Sequence, residues 1–320
     1  MHLPSTGHDP VLVHEVLETL APVAGHVIID CTLGRGGHAT VIAKQLGPGG
    51  LLIGLDADPR NLEFARARLN SSPCPIRFFH ANFAELSDVM AAAGLSHVDG
   101  ILADLGLSTN QLFDAQYGLS FATPMPLDMR IDPRTEKSAA HLVNNLSEED
   151  LANVLYTLAQ ERYSRRIARK IVEARRLSPI TTTERLAELV RSAIPKWERR
   201  GGAPKHSRKQ QGSPSLDPAT RTFLALRMAV NRELANLEAL LEAAPRFLRP
   251  RGRVAIISFQ STEDRVVKHA FRSAEQTGQL KILTPRPLSP SDEEIAANPR
   301  SRSAKLRAAE KSDVAIRGSP

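Results

Sequence analysis

The chain has 320 residues, a formal net charge of +7, 42% hydrophobic and 24% charged residues, an ordinary globular composition with room for one or two domains. Aromatic residues make up only 4%, which argues against a surface that works mainly by stacking bases on rings. No apolar run approaches the roughly 18 residues of a membrane span, and Cys31 and Cys74 are too few and too far apart for a disulfide framework or a zinc pattern. The charge suits a polyanionic partner, nucleic acid or an anionic membrane, and equally a basic enzyme with no such partner.

Val11 to Leu20 predicts a helix, stopped near Pro22. Val27–Ile29 is a short β-branched run that leads into the glycine-rich turn Asp30-Cys31-Thr32-Leu33-Gly34-Arg35-Gly36-Gly37. His38 to Leu46 predicts a helix, ended by Gly47-Pro48-Gly49-Gly50. Strands follow at Leu51 to Leu55, Ile76 to Phe79 and Val98 to Leu102, with a helix at Arg60 to Leu69. Apolar strands alternating with helices imply a parallel sheet covered on both faces.

The pattern changes after about Gln111. Pro124, Pro126 and Pro133 mark loop chemistry. Leu146 to Arg176 and Thr183 to Ile194 read as helices with no strand between them, and Arg199 to Pro218 as a polar linker. Thr220 to Leu248 reads as one long helix, followed by a buried strand at Arg253 to Phe259. The expected organisation is therefore an α/β part over residues 1–112, a helical insertion over 113–216, a second α/β part over 217–284 and a polar surface segment over 285–320.

Gly34-Arg35-Gly36-Gly37-His38-Ala39 fits G-x-G-x-x-[GA]. Glycines admit close approach of a ligand to the backbone, and the next helix offers free N–H groups. Asp56, at the end of the second strand, is placed to accept hydrogen bonds from ribose hydroxyls. NAD and S-adenosylmethionine share this geometry. Asp30 and Asp104 end two further strands, and acids there suit the cationic groups of S-adenosylmethionine better than a pyrophosphate. An isolated strand-end Asp is often only a helix cap; three together are less easily read that way.

Arg162 to Arg176 is a basic helix. Its cations Arg162, Arg166, Arg169 and Lys170 could follow a phosphate backbone, with a plain solvated helix face as the alternative. Ser258 and Arg265, in the polar run after the late strand, are candidates for the acceptor side, with a helix N-cap at Ser261 or Thr262 as the structural alternative. His8, His14, His38 and His80 lack metal-ligand spacing, so no metal is expected. The segment Met1 to Pro10 has no basic start followed by an apolar run, so the expected location is cytoplasmic.

Taken together, His8-Asp9-Pro10-Val11-Leu12, the Asp30-to-His38 loop, Ala103-Asp104-Leu105-Gly106-Leu107-Ser108, Pro126-Leu127-Asp128-Met129-Arg130, Val230-Asn231-Arg232-Glu233-Leu234, Glu263-Asp264-Arg265-Val266-Val267-Lys268 and Asn298-Pro299-Arg300-Ser301-Arg302-Ser303 resemble the ribosomal RNA small subunit methyltransferase H family (the MraW type). The resemblance runs in order over almost the whole chain. It departs from the family pattern at Tyr117, Gln260 and Thr262. It implies a Rossmann-like S-adenosylmethionine methyltransferase fold, α/β with an inserted helical domain. It also implies methylation of the exocyclic N4 amine of a cytosine in the decoding region of 16S rRNA, within the small ribosomal subunit. Under it, Gly36, Gly37, His38, Asp56, Phe83, Asp104 and Gln111 would contact the cofactor, with Phe83 against the adenine. Asp104 would orient the acceptor, the insertion would recognise RNA, and a homodimer is admitted. Two other readings stay open: an RNA-binding assembly factor with weak or lost catalysis, and an NAD-dependent dehydrogenase, for which no hydride-transfer acid–base pair is visible.

Overall fold

A computed structural model describes residues 10–195 and 217–313. The described residues divide into two compact units. One holds those up to Ser108 and from Leu234 onward, the other Thr109–Glu233.

The first unit is built on a seven-stranded sheet of β1 (Val27–Asp30), β2 (Leu51–Asp56), β3 (Ile76–His80), β4 (Val98–Leu105), β5 (Leu248–Ser258), β6 (Leu280–Ile282) and β7 (Lys305–Lys311). The order is β3-β2-β1-β4-β5-β7-β6. Strands β1 to β5 run parallel, while β7 is antiparallel to both β5 and β6. Successive side chains of a strand point to opposite faces, so the sheet has two cores. Ile29, Ile53, Ile101 and Ile256 belong to one; Ile28, Leu52, Leu102 and Ile257 belong to the other. Both faces are buried, which is why the strands read as unbroken apolar runs. Helices α1 (Val13–Leu20), α2 (Gly37–Leu46), α3 (Pro59–Arg68) and α4 (Leu86–Ala92) belong to this half of the unit. The strand order reverses between β1 and β4. In doubly wound sheets, ligands bind beyond the carboxyl ends of the strands at that point.

The second unit is helical: α5 (Thr109–Phe113), α6 (Ala139–Asn145), α7 (Glu148–Ala159), α8 (Ser164–Arg175), α9 (Thr183–Ala193) and α10 (Ala219–Val230). Leu151, Leu155, Ile167, Ile171, Leu186, Val190 and Leu226 are buried in it. The loop before α6 is held by side chains. Arg130 forms a two-pronged pair with Asp128, Nε–Oδ1 2.7 Å and Nη2–Oδ2 2.8 Å. Asn231 accepts from Ile131 N–H at 2.9 Å and donates to the Met129 carbonyl at 2.8 Å, so two motifs a hundred residues apart meet.

Three expectations need correction. The run 146–176 is two helices, because Gln160 takes a left-handed conformation at φ 52° and closes α7. The run 220–248 is also two, α10 and α11 (Glu233–Phe247), parted where Arg232 stands at φ 50°. With α10 packed on α7, the helical unit ends at Glu233 rather than at 216. Finally, 285–320 is not merely a surface segment. After α12 (Ser261–Gln276) and α13 (Asp292–Ala297), β7 enters the sheet between β5 and β6, with Leu306, Ala308 and Ala309 fully buried. Its sequence, KLRAAEK, has no β-branched residue, so pairing on both sides rather than local propensity makes it a strand.

Candidate active site

The turn after β1 is shaped by Gly36, which caps α2 at φ 78°, a conformation that favours glycine. A Cβ there would press on the Leu69 side chain at 3.1 Å. The turn is tied to the next strand, since Gly34 N–H donates to Asp56 Oδ2 at 2.7 Å. Asp58 N–H donates to the other oxygen of Asp56 at 2.8 Å. The Asn61 amide adds only long contacts of 3.5 and 3.4 Å to the two oxygens, so of the carboxylate's about four acceptor sites two are held tightly and the others loosely enough to yield to hydroxyl donors.

His38, in the first turn of α2, is buried, and its Nε2 donates to the Val11 carbonyl at 2.8 Å. A carbonyl only accepts, so in the neutral ring the lone pair sits on Nδ1. That nitrogen faces Asp104 Oδ2 at 3.7 Å. Burial holds the His38 pKa below its ordinary value.

Asp104, on β4, is positioned by its backbone N–H, which donates to Thr32 Oγ1 at 2.6 Å. Its own Oδ1 is buried without a hydrogen-bond partner, an unusual state for a buried oxygen. Asp30, at the end of β1, accepts from Thr32 N–H at 3.2 Å. Burial pushes the pKa values of Asp30, Asp56 and Asp104 each up to about 7; at Asp30 the neighbouring His38 partly offsets it. Among the described residues, none of the three forms an ion pair with lysine or arginine. Such a group of carboxyls attracts a cationic ligand with hydroxyl donors and repels a pyrophosphate. The ammonium, sulfonium and ribose of S-adenosylmethionine fit these residues. No group of three or more His, Cys, Asp or Glu is arranged for a metal among the described residues.

The structure thus brings Gly36, Gly37, His38, Asp56 and Asp104 together. Phe83 opens a short 3-10 turn just past β3, two residues after Ala81, whose N–H bonds the Asp56 carbonyl. Gln111 lies on α5 of the second unit and is buried. Arg162, Arg166, Arg169 and Lys170 are all exposed on or just before α8. Arg169 reaches Glu148 at 3.5 Å and Lys170 reaches Glu173 at 3.6 Å, while Arg166 has no ion-pair partner among the described residues. The linker cations Lys205, Arg208 and Lys209 lie outside the described residues. Ser258 does not offer a surface contact: it is buried at the end of β5 and donates to the Lys305 carbonyl at 3.4 Å. Arg265 is exposed on α12. That helix is capped by Gln260, not by Ser261 or Thr262, and Glu263 accepts from the N–H groups of Phe259 and Gln260. Thr32, whose hydroxyl and N–H set Asp104 and Asp30, was not legible as a site residue, because only the sheet brings the two strand ends beside it.

The strand order, the glycine turn and the acids ending three strands define a Rossmann-like, S-adenosylmethionine-dependent methyltransferase with an inserted helical unit. A model of the MraW methylase family matches residues 5–312, and the chain belongs to that family. Its relatives include proteins named ribosomal RNA small subunit methyltransferase H. The one from Geobacter sulfurreducens is 46% identical over 321 residues, covering 95% of this chain and 98% of the relative. That from Solibacter usitatus is 46% identical over 303 residues, covering 95% and 99%. Among solved structures, TrmN from Thermus thermophilus is similar at 16% identity with a TM-score of 0.42, covering 94% of this chain and 48% of that one, a likeness too slight to carry weight. Membership of a methylase family sets aside the dehydrogenase reading. Among the described residues, no helix is long and apolar enough to cross a membrane.

Proposed function

We propose that the chain methylates ribosomal RNA, and specifically the exocyclic N4 amine of a cytosine in the decoding region of 16S rRNA within the small ribosomal subunit, in the cytoplasm. The relatives' shared name over nearly their whole length supports the RNA class. The observation that carries the chemistry is the buried, partnerless Asp104 Oδ1 at the sheet's ligand edge.

In this reading Gly36, Gly37, His38, Asp56, Phe83, Asp104 and Gln111 hold the cofactor, with Asp30 balancing its positive charge. Asp56 accepts from ribose hydroxyls and Phe83 lies against the adenine. When bound, the cofactor supplies a methyl group already activated by a positive sulfur. The protein's task is then alignment. Asp104 Oδ1 accepts a hydrogen bond from the acceptor amine and fixes its direction. The nitrogen gains a methyl and gives up one proton, which passes to the carboxylate or to solvent. The helical unit, with the α8 cations, follows the RNA backbone.

The test is transfer of labelled methyl groups to small subunits that lack the modification, read by nucleoside mass spectrometry. N4-methylated cytosine is expected. Cofactor binding with no incorporation into any RNA would instead make the chain an RNA-binding assembly factor.

A further inference from the structure

A second basic feature lies in the first unit, on the helix that follows β5. On α12, Arg265, Lys268, His269 and Arg272 recur at the i, i+3, i+4, i+7 spacing of one helix face. Arg265, His269 and Arg272 are exposed and Lys268 is half-buried. None of the four has a carboxylate partner among the described residues. From Arg265 to Arg272 the stripe runs about 10 Å along the helix.

Beside it is a cleft whose lining includes Lys268, Phe271, Arg272, Ile282, Thr284 and Arg307. Arg307, on β7, is only 7% exposed. Its Nε and Nη2 are committed to Asp264 at 2.7 and 3.3 Å. Its Nη1 has no acceptor among the described residues. Asp264 is thus occupied on the side of the cations it already holds, with Lys305 a further 3.8 Å from it. Thr284 is spent on the Ala308 backbone. The cleft therefore offers three cations beside two engaged carboxylates, Asp264 on Arg307 and Glu275 on the Ile282 N–H at 2.9 Å, and one of the three cations is a guanidinium fixed by a two-pronged pair. A planar, pre-oriented guanidinium flanked by Lys268 and Arg272 is the donor set that recognises phosphate oxygens.

We propose that this cleft and the α12 stripe bind phosphates of the substrate RNA's backbone, as a contact surface on the methyltransferase unit separate from the basic helix of the helical unit. It rests on the reading of the chain as an RNA methyltransferase. The occupant is a polynucleotide rather than a lone anion, because the cations continue as a row past the cleft to Arg265.

The test measures the affinity of the full chain for a 16S rRNA fragment at several salt concentrations. It compares the unaltered protein with the double variant Lys268→Ala/Arg272→Ala, and with Arg272→Lys as a charge-preserving control. Thermal unfolding and S-adenosylmethionine binding serve as fold checks. The double variant is expected to bind RNA about 10-fold more weakly, with the log–log salt slope reduced by roughly 1–2, and to bind cofactor normally. Arg272→Lys is expected to keep most of the affinity. Unchanged affinity and slope in the double variant overturn the proposal while leaving the proposed function intact. If the unaltered protein binds no rRNA, both fall. A third arm uses phosphatidylglycerol–phosphatidylcholine vesicles. Lost vesicle binding with RNA affinity retained would make the cleft a lipid headgroup site and likewise overturn the proposal.

Discussion

The acids that end three strands of the first unit and the paired acids of the helical unit are treated in opposite ways. In the helical unit Asp128 is paired with Arg130, Asp132 with Arg134 at 2.7 Å, Asp217 with Arg191 at 2.8 Å and Glu233 with Arg227 at 2.8 Å. At Asp128, burial alone would raise the pKa, but the hydrogen bonds and charge of Arg130 outweigh it and hold the carboxyl below its ordinary range. The acids ending β1, β2 and β4 lack such cations, and burial pushes them up to about 7. Elsewhere in the same unit Asp99 is paired with Arg249 and Asp264 with Arg307, so the deficit is local to the strand ends. Paired carboxyls hold loops and helices in place. Buried carboxyls without a cation cost stability in the free protein, and in the proposed reading the cofactor brings the missing charge.

The contrast can be broken at several points. Asp104→Ala is expected to reduce methyl transfer by about 100- to 1000-fold. The same variant, free of cofactor, should unfold at a higher temperature, being about 1–3 kcal/mol more stable once a buried uncompensated charge is gone. Full-rate transfer by Asp104→Ala would remove that residue from the chemistry. In the helical unit, Gly118 stands at φ 60° and a Cβ there would overlap the Pro126 carbonyl. Gly118→Ala should therefore cost about 2–4 kcal/mol in urea unfolding, and a neutral result would mean the loop relaxes freely.

The strand-end acids also set a pH dependence. Each binds its proton more tightly folded, at about 7, than at its ordinary value of 3.8. Their contribution to stability is fully present below about pH 4 and is lost as the pH rises towards 7. Chemical unfolding from pH 4.5 to 7.5 should show this loss in the free protein, and a smaller one in Asp104→Asn. An equal loss in both would place the titration elsewhere. Asn231→Ala, which removes the bonds to Ile131 and Met129, should cost about 1–2 kcal/mol and leave the strand-end acids untouched. A change in cofactor affinity would contradict that separation.

Much of this was legible in the chain itself. The strands β1, β2, β4 and β5 announce themselves because both their faces are buried where they cross the core, leaving the short apolar runs Val27–Ile29, Leu51–Ile53, Ile101–Ala103 and Val254–Ile257. Asp30, Asp56 and Asp104 follow, since each stands where an apolar strand stops. β7 was hidden by its alanines and charges, being a strand only through its neighbours. The break at Asn231–Arg232 was hidden because apolar residues continue across it, and what stops the helix is a left-handed backbone and a side chain bonded to residues 129 and 131. The helical boundary was misplaced for the same reason. Ser258 read as a polar group at the sheet edge, but its hydroxyl is turned to the neighbouring strand. Partners distant in sequence decided each of these cases.

The most direct test of the central contrast is calorimetry of S-adenosylmethionine binding at pH 6.5 in two buffers of different ionisation enthalpy. Carboxyls with pKa values near 7 must ionise to meet a cation, so binding should release protons at pH 6.5. The release should fade by about pH 8.5 and be smaller in Asp104→Asn. Binding with no proton release at pH 6.5 would contradict the account, because the strand-end acids would then not be the groups that hold the cofactor's charge.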